Sequence, residues 1–259
     1  MNTVKLASLT VPSLVQNGTV PFVILDCPYY LTPQERDGMV LKWYLNSRTI
    51  PIYQWIPPSY PQGLGKFEGR IDLDFEMSSD PYTRHRALYI LNPTVEMSGE
   101  YTCKVSTVEE EVSLTSRMVV YTPPRNIILQ CDHVSPTTVK VSCLVDHAFP
   151  LPRVVLYTGL GRAKEEVEGV EEQVERYRDG AWRVLLVVTL SNSELEPENL
   201  FTCEVGLPHT KYLEEKTIQY STDTTEVVAQ LNTFNKACKD RGIVISLLAT
   251  LLMIIISDG

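Results

Sequence analysis

The sequence predicts an all-β protein with two tandem β-sandwiches followed by a C-terminal hydrophobic tail. The segments EYTCKV (100–105) and LFTCEV (200–205) repeat one motif at a spacing of one hundred residues. A period of that length indicates two domains rather than a solenoid, whose units are shorter. Both halves also consist of short apolar runs separated by turn residues, with no helical periodicity over ten or more residues inside the chain.

Six runs rich in β-branched and aromatic residues are predicted strands. They are VLKWYL (40–45), IPIYQWI (50–56), RALYIL (86–91), SRMVVY (116–121), RVVLYT (153–158) and WRVLLVVTL (182–190). The Asp-Gly pairs at 37–38 and 179–180 are typical of hairpin turns.

The domain boundaries follow from these runs. We predict a first domain at 1–121, a second at 122–222, a polar linker at 223–241 and the hydrophobic tail at 242–259. The net charge of −9, from 23 basic and 32 acidic residues, argues against a general affinity for nucleic acid. Six widely spaced cysteines without a CxxC pair indicate long-range disulfides formed in an oxidising compartment.

The first half resembles a variable-type immunoglobulin domain. Cys27 is followed sixteen residues later by Trp43 in LKWY, and the stretch LYILNPTVEMSGEYTC ends at Cys103. The resemblance implies a Cys27–Cys103 bond between two sheets, Trp43 packed on that bond, and Tyr101 as the corner tyrosine. Met97 stands where many variable domains have an aspartate, which puts the buried ion pair of those domains in question.

The second half resembles a constant-type immunoglobulin domain through CLVDHAFPLPRVVLY and FTCEV. The resemblance implies a Cys143–Cys203 bond. It also implies that Tyr157 takes the place of the core tryptophan and that Phe201 takes the place of the corner tyrosine, with both rings in the core. The fold class is thus two tandem immunoglobulin-like β-sandwiches.

A narrower resemblance is carried by LKWYLNSRTIPIYQWIPP and the later SGEYTC. These segments are similar to the first domain of insect beaten-path-like proteins, which are neuronal cell-surface or secreted proteins. The resemblance covers residues 9 to about 220. It implies recognition of other immunoglobulin-type receptors through the first domain.

The predicted partner-binding face lies on the first domain. If Trp43 points inward, strand alternation turns Lys42 and Tyr44 outward, while Tyr53 and Trp55 share one face of the next strand. Aromatic residues beside a charge are typical interface anchors, so these four residues are predicted to bind a partner. In the alternative, Tyr53 or Trp55 only covers the edge of the sandwich.

Four residues of zinc-ligand type occur as Cys131-x-His133 and Cys143-x3-His147. Because Cys143 is assigned to a disulfide, we predict no metal and no cofactor. Cys131 and Cys238 are then left over, and they could pair with each other, pair between chains or stay free.

The stretch KEEVEGVEEQVERYRD contains six glutamates between 165 and 175. It predicts a charged strand edge that faces water and blocks edge-to-edge association. The alternative is an acidic docking surface for a basic partner. The sequon that starts at Asn17 is the only N-glycosylation signal in the chain, since proline disqualifies the one at Asn92.

The tail from Ile243 to Ile256 is uncharged. As a helix it reaches roughly 21 Å, which is short of the ~30 Å hydrocarbon core. Small residues, a polar spacer and a terminal apolar run instead fit a glycolipid-anchor signal, with Asn235 as the predicted attachment site. We expect this anchor rather than a short membrane span. The opening MNTVKLASLTVPSLV shows no secretory signal, so the true N-terminus is expected upstream.

The predicted function is recognition at the outer face of a cell. The protein is expected to be an adhesion or recognition molecule that binds a protein partner, an immunoglobulin-type receptor, in neuronal guidance. The alternative is a secreted, soluble recognition or decoy protein. No G-x-S-x-G, HExxH or P-loop motif occurs, so neither an enzyme nor a small-molecule substrate is expected.

Overall fold

A computed structural model describes five ranges of the chain, which are residues 4–47, 49–159, 163–195, 199–220 and 238–240. The chain divides into two compact units, 1–122 and 123–259. Within the described ranges the elements are β-strands and short 3-10 turns without an α-helix, which confirms the all-β prediction. The same ranges contain no helix with the length and apolar character needed to cross a bilayer. The predicted tail and Asn235 lie outside them.

The first unit contains ten described strands. They are β1 Lys5–Leu6, β2 Leu14–Gln16, β3 Phe22–Leu25, β4 Tyr29–Tyr30, β5 Val40–Leu45, β6 Pro51–Trp55, β7 Gln62–Gly63, β8 Leu88–Leu91, β9 Gly99–Ser106 and β10 Glu111–Tyr121. Its 3-10 turns are Pro33–Glu35, Gly65–Phe67 and Val95–Met97.

Two sheets enclose most of the core of the first unit, and a short third sheet pairs β1 with β4. The larger has the order β2-β10-β9-β5-β6-β7, and the smaller pairs β3 with β8. The Cys27–Cys103 bond is confirmed, and Trp43 and Tyr101 are fully buried. The Tyr101 hydroxyl donates a 2.7 Å hydrogen bond to the carbonyl oxygen of Met97, which ties β9 to the turn before it.

The most buried ion pair described in the first unit does not involve position 97. Met97 is itself buried, and the neighbouring Glu96 only approaches Arg70 to 4.0 Å at the surface. A tighter pair joins Arg86 to Asp26, with nitrogen–oxygen distances of 2.8 and 3.0 Å.

The second unit contains nine described strands. They are β11 Asn126–Ser135, β12 Thr138–Ala148, β13 Arg153–Thr158, β14 Glu165–Glu166, β15 Glu171–Arg176, β16 Trp182–Ser191, β17 Leu200–Gly206, β18 Leu213–Tyr220 and β19 Cys238–Asp240. A 3-10 turn spans Asn192–Glu194. The sheets have the orders β11-β12-β16-β15 and β14-β13-β17-β18-β19.

The Cys143–Cys203 bond of the second unit is confirmed, and Phe201 is fully buried beside it. The expected core position of Tyr157 is corrected. Leu156 pairs directly with Cys203, so Leu156 faces the core and alternation turns Tyr157 to the other side of β13. There the half-buried Tyr157 ring lies 4.2 Å from Lys164 Nζ.

Candidate functional site

The candidate site is the outer face of the larger sheet in the first unit. Trp43 pairs with Cys103 and both are buried, so the adjacent positions of β5 and β9 lie on the opposite side. We call this surface the outer face and define it by the outward positions of β5, β6, β9 and β10. These are Lys42, Tyr44, Gln54, Thr102, Lys104, Glu111, Ser113 and Thr115.

Two lysines lie directly opposite each other at the centre of the outer face. Lys42 of β5 pairs with Lys104 of β9. Like charges in opposite positions of two strands destabilise a sheet, so this arrangement costs folding energy unless other groups offset it. Lys104 is a residue of this site that the sequence analysis missed. Its position directly after the buried Cys103 could have identified it, because alternation turns it outward.

Glu111 of β10 offsets part of this repulsion. Its carboxylate lies 2.7 Å from Lys104 Nζ and accepts a 3.0 Å hydrogen bond from the Ser106 hydroxyl. The hydrogen bond from Lys104 is the main cause that lowers the pKa of Glu111, and the charge of Lys42 adds a smaller effect in the same direction. The Glu111 carboxylate thus contacts the ammonium group of Lys104 and also feels the charge of Lys42.

Tyr44 lies on the outer face but is only 4% exposed. Lys104 Nζ lies 5.6 Å from the centroid of its ring. A register irregularity between Trp43 and Tyr44 interrupts the pairing with β6 at this point. The prediction of Tyr44 as an exposed aromatic anchor is therefore corrected, because its ring is buried close to Lys104 and does not project from the surface.

Tyr53 and Trp55 are core residues. Tyr53 pairs with Trp43 and Trp55 with Leu41, and residues directly opposite each other share one face of a sheet. Both side chains are 2% exposed. The Tyr53 hydroxyl donates to the His85 carbonyl oxygen at 2.8 Å, and the Trp55 indole donates to the Ser59 carbonyl oxygen at 3.1 Å. The predicted partner-binding role of these two residues is corrected accordingly, since neither ring reaches the surface.

The rest of the outer face is polar. Thr102 pairs with Thr115, and their hydroxyl oxygens are 2.8 Å apart. Gln54 lies opposite Lys42, and Ser113 lies opposite Lys104. A surface of this composition can recognise a carboxylate at the lysines and form hydrogen bonds around it.

The acidic stretch forms the edge of a sheet in the second unit. All six residues of β15 are exposed, and β15 is the last strand in the order β11-β12-β16-β15. Glu175 lies 3.2 Å from Arg183 of β16. The charged strand edge that the sequence predicts is found here.

The four residues of zinc-ligand type do not form a site. Cys143 is bonded to Cys203, and the described ranges contain no group of three or more histidine, cysteine or acidic side chains that could hold a metal ion. Cys131 is buried with a free thiol. Cys238 lies opposite Tyr220 in β19, and its side chain is outside the described part of the chain.

The chain is similar to solved structures but not to known sequence families. No protein-family model matches it, and no match is found among curated proteins. Bovine butyrophilin is similar to it at 16% identity and a TM-score of 0.60, over 81% of this chain and 94% of that one. A chain from the crystal structure of ICOS in complex with ICOS-L and an anti ICOS-L VNAR domain is similar at 15% identity and a TM-score of 0.54, over 80% and 99%. These likenesses show the fold, which is a tandem of immunoglobulin-like sandwiches.

Proposed function

We propose that this protein is a cell-surface recognition protein that binds another protein through the outer face of its first unit. The pair of Lys42 and Lys104 carries the proposal. Two like charges held opposite each other lower the stability of the fold, and a stability cost at a surface is typical of residues retained for function. An acidic group on a partner would be attracted by both ammonium groups, which lie opposite each other.

We further propose that the partner is itself an immunoglobulin-type receptor and that the recognition serves adhesion in neuronal guidance. The similarity of LKWYLNSRTIPIYQWIPP to beaten-path-like proteins supports this. A complex between two proteins, ICOS and ICOS-L, is also among the structures of similar fold.

A binding screen tests the proposed face. Residues 1–222, secreted in multimeric form without the tail, are applied to an array of cell-surface immunoglobulin-type ectodomains, and each hit is measured again with Lys42→Glu. We expect the reversal to lower the affinity at least about tenfold, because it places a negative charge against the partner's carboxylate. Lys140→Glu is the matched control, since Lys140 is exposed on the second unit. If Lys42→Glu binds the partner as tightly as Lys140→Glu does, the outer face is not the binding surface.

We propose a glycolipid anchor at Asn235 as the means of membrane attachment. The polar spacer and the uncharged terminal run in the sequence support this. Treatment of expressing cells with a phosphatidylinositol-specific lipase should release the protein into the medium. Spontaneous appearance in the medium would favour the secreted alternative, and retention after lipase treatment would favour a membrane span.

A further inference from the structure

The second sheet of the first unit has an apolar outer side. Val23 and Leu25 of β3 are buried, so Phe22 and Ile24 face outward. Phe22 lies opposite Leu91, and Ile24 lies opposite Tyr89. None of these four outward positions carries a charge, although an outer sheet side that faces water is usually polar.

Phe22 is the most conspicuous residue of this surface. The residue is 40% exposed, and its ring stacks on Tyr89 at a centroid distance of 4.4 Å. Phe75 packs against the same tyrosine at 4.9 Å. A shallow hollow beside Phe22 is lined by Leu14, Val20 and Ile24 among others. An exposed apolar surface of this kind is typical of a site that another molecule covers.

The sequon lies at the border of this surface. A second hollow, lined by Asn17, Thr19, Val20 and Pro21 among others, shares Thr19 and Val20 with the first. The Thr19 amide donates to the Gln16 carbonyl oxygen at 3.3 Å, which closes a turn with Asn17 and Gly18 at its centre. Asn17 is exposed on that turn, and its carboxamide nitrogen lies 3.3 Å from the Thr122 hydroxyl oxygen.

We propose that Asn17 carries an N-linked glycan and that the first sugars of this glycan cover the surface formed by Val20, Phe22 and Ile24. A sugar ring offers an apolar face of C–H groups to such a surface and keeps its hydroxyl groups in water. The covalent bond holds the sugars next to the surface at a high effective concentration, so a weak contact is sufficient. No separate protein partner is required to cover Phe22.

The modification is a group transfer from a lipid diphosphate-linked oligosaccharide. The Asn17 amide nitrogen attacks the anomeric carbon of the terminal N-acetylglucosamine. A nitrogen–carbon bond forms, the carbon–oxygen bond to the diphosphate breaks, the lipid diphosphate leaves with the bonding electrons, and the proton lost by the amide is released to water. The modified amide keeps one N–H, which can still donate to the Thr122 hydroxyl.

Mass spectrometry tests the occupancy. The full chain, preceded by a cleavable secretory signal, is produced in eukaryotic cells and treated with peptide-N-glycosidase in heavy-oxygen water, which converts a glycosylated asparagine into labelled aspartate. We expect the label in the tryptic peptide 6–36, which contains Asn17. Thr19→Ser keeps the sequon and should keep the label, whereas Asn17→Gln should lose it. An unmodified peptide 6–36 in the untreated protein overturns the proposal.

Hydroxyl-radical labelling tests the cover. Phe22 should be oxidised about twofold less in the glycosylated protein than in Asn17→Gln, because a bulky glycan shields it. Tyr30 and Tyr60 are 74% and 58% exposed and serve as internal controls whose oxidation should not change. Equal oxidation of Phe22 in both forms overturns the cover even if Asn17 is occupied.

Discussion

The guanidinium of Arg86 donates two hydrogen bonds to the carboxylate of Asp26, from Nε at 2.8 Å and from Nη2 at 3.0 Å. The two side chains retain only 21% and 12% of their exposure. The Arg86 carbonyl oxygen in turn accepts a 3.2 Å hydrogen bond from the Trp43 indole. These contacts link Arg86, in the segment before β8, both to Asp26 directly after β3 and to the tryptophan that packs in the core.

Breaking this ion pair should destabilise the first unit. Asp26→Asn removes the charge and leaves the largely buried guanidinium of Arg86 uncompensated, which we expect to cost about 3 kcal/mol in the free energy of unfolding. Denaturant unfolding of the purified protein measures this. Glu109→Gln removes an exposed carboxylate from the same unit and should change stability by less than about 0.5 kcal/mol. A small effect of Asp26→Asn would mean that water takes over the role of the carboxylate.

Substitutions of Lys42 and Glu111 on the outer face should shift the free energy of unfolding in opposite directions. Lys42→Ala relieves the repulsion with Lys104 and should raise the free energy of unfolding by about 0.5 kcal/mol. The gain should shrink at high salt, where exposed charges are screened. Glu111→Gln should have the opposite sign, because it removes the carboxylate that contacts Lys104. If both variants shift stability in one direction, the charges at this site do not oppose each other as we infer.

Gly99 should not tolerate a side chain. Its φ of +151° is unfavourable for other residues, and a Cβ atom there would overlap the carboxamide of Asn46. That carboxamide accepts a 2.8 Å hydrogen bond from the Glu100 amide and donates to the Ser98 carbonyl oxygen at 3.4 Å. We expect Gly99→Ala to lower the free energy of unfolding by about 3 kcal/mol or more.

Gly69→Ala is the matched control for the Gly99 variant. Its φ is +70°, and a Cβ atom there would meet nothing within 4 Å. It should therefore cost only the backbone strain, about 1 kcal/mol. Equal losses for the two alanine variants in denaturant unfolding would show that the contact with Asn46 adds nothing.

The first unit should lose stability in alkali. Burial is the main cause that raises the pKa of Tyr29, Tyr53 and Tyr101 in the folded state. The unfolded chain ionises these hydroxyls near pH 10. The contribution of these three neutral hydroxyls to the free energy of unfolding is fully present below that pH. It is lost as the pH rises toward their folded-state pKa values, because the unfolded state releases its protons first.

Tyrosinate absorbance and circular dichroism, followed together, measure this alkaline transition. The absorbance of the three buried tyrosines should appear only as the β-sheet signal is lost. Ionisation of all tyrosines with the sheet signal intact would contradict the burial of these hydroxyls.

The sequence motifs were sufficient to predict the two disulfides and the buried position of Trp43, because an immunoglobulin domain fixes the spacing of these residues. They were not sufficient for the neighbouring strand. The orientation of Tyr53 and Trp55 depends on which residue of β5 each one faces, and a shift of one position exchanges core for surface. Leu156 and Tyr157 show the same dependence in the second unit, where the pairing with Cys203 decides which of the two is buried.

The contacts between distant segments could not be predicted from local pattern. Asp26 and Arg86 are separated by 60 residues, and no periodicity in either segment indicates a partner. Lys104 and Glu111 belong to two strands joined by a short turn, and their contact depends on the register of that hairpin. Both contacts depend on how distant or neighbouring strands pair, which the local sequence pattern does not specify.

The glutamates of β15 affect self-association of the protein at high concentration. At high concentration each molecule meets many copies of itself, and an exposed strand edge offers unpaired backbone groups with which a second copy could pair. Three of the six exposed residues of β15 are glutamates (Glu171, Glu172 and Glu175), so carboxylates along that edge repel an approaching copy before the backbone amides can pair. The edge of β15 is therefore expected to resist self-association, so copies of the protein stay separate at concentrations at which an uncharged edge would pair.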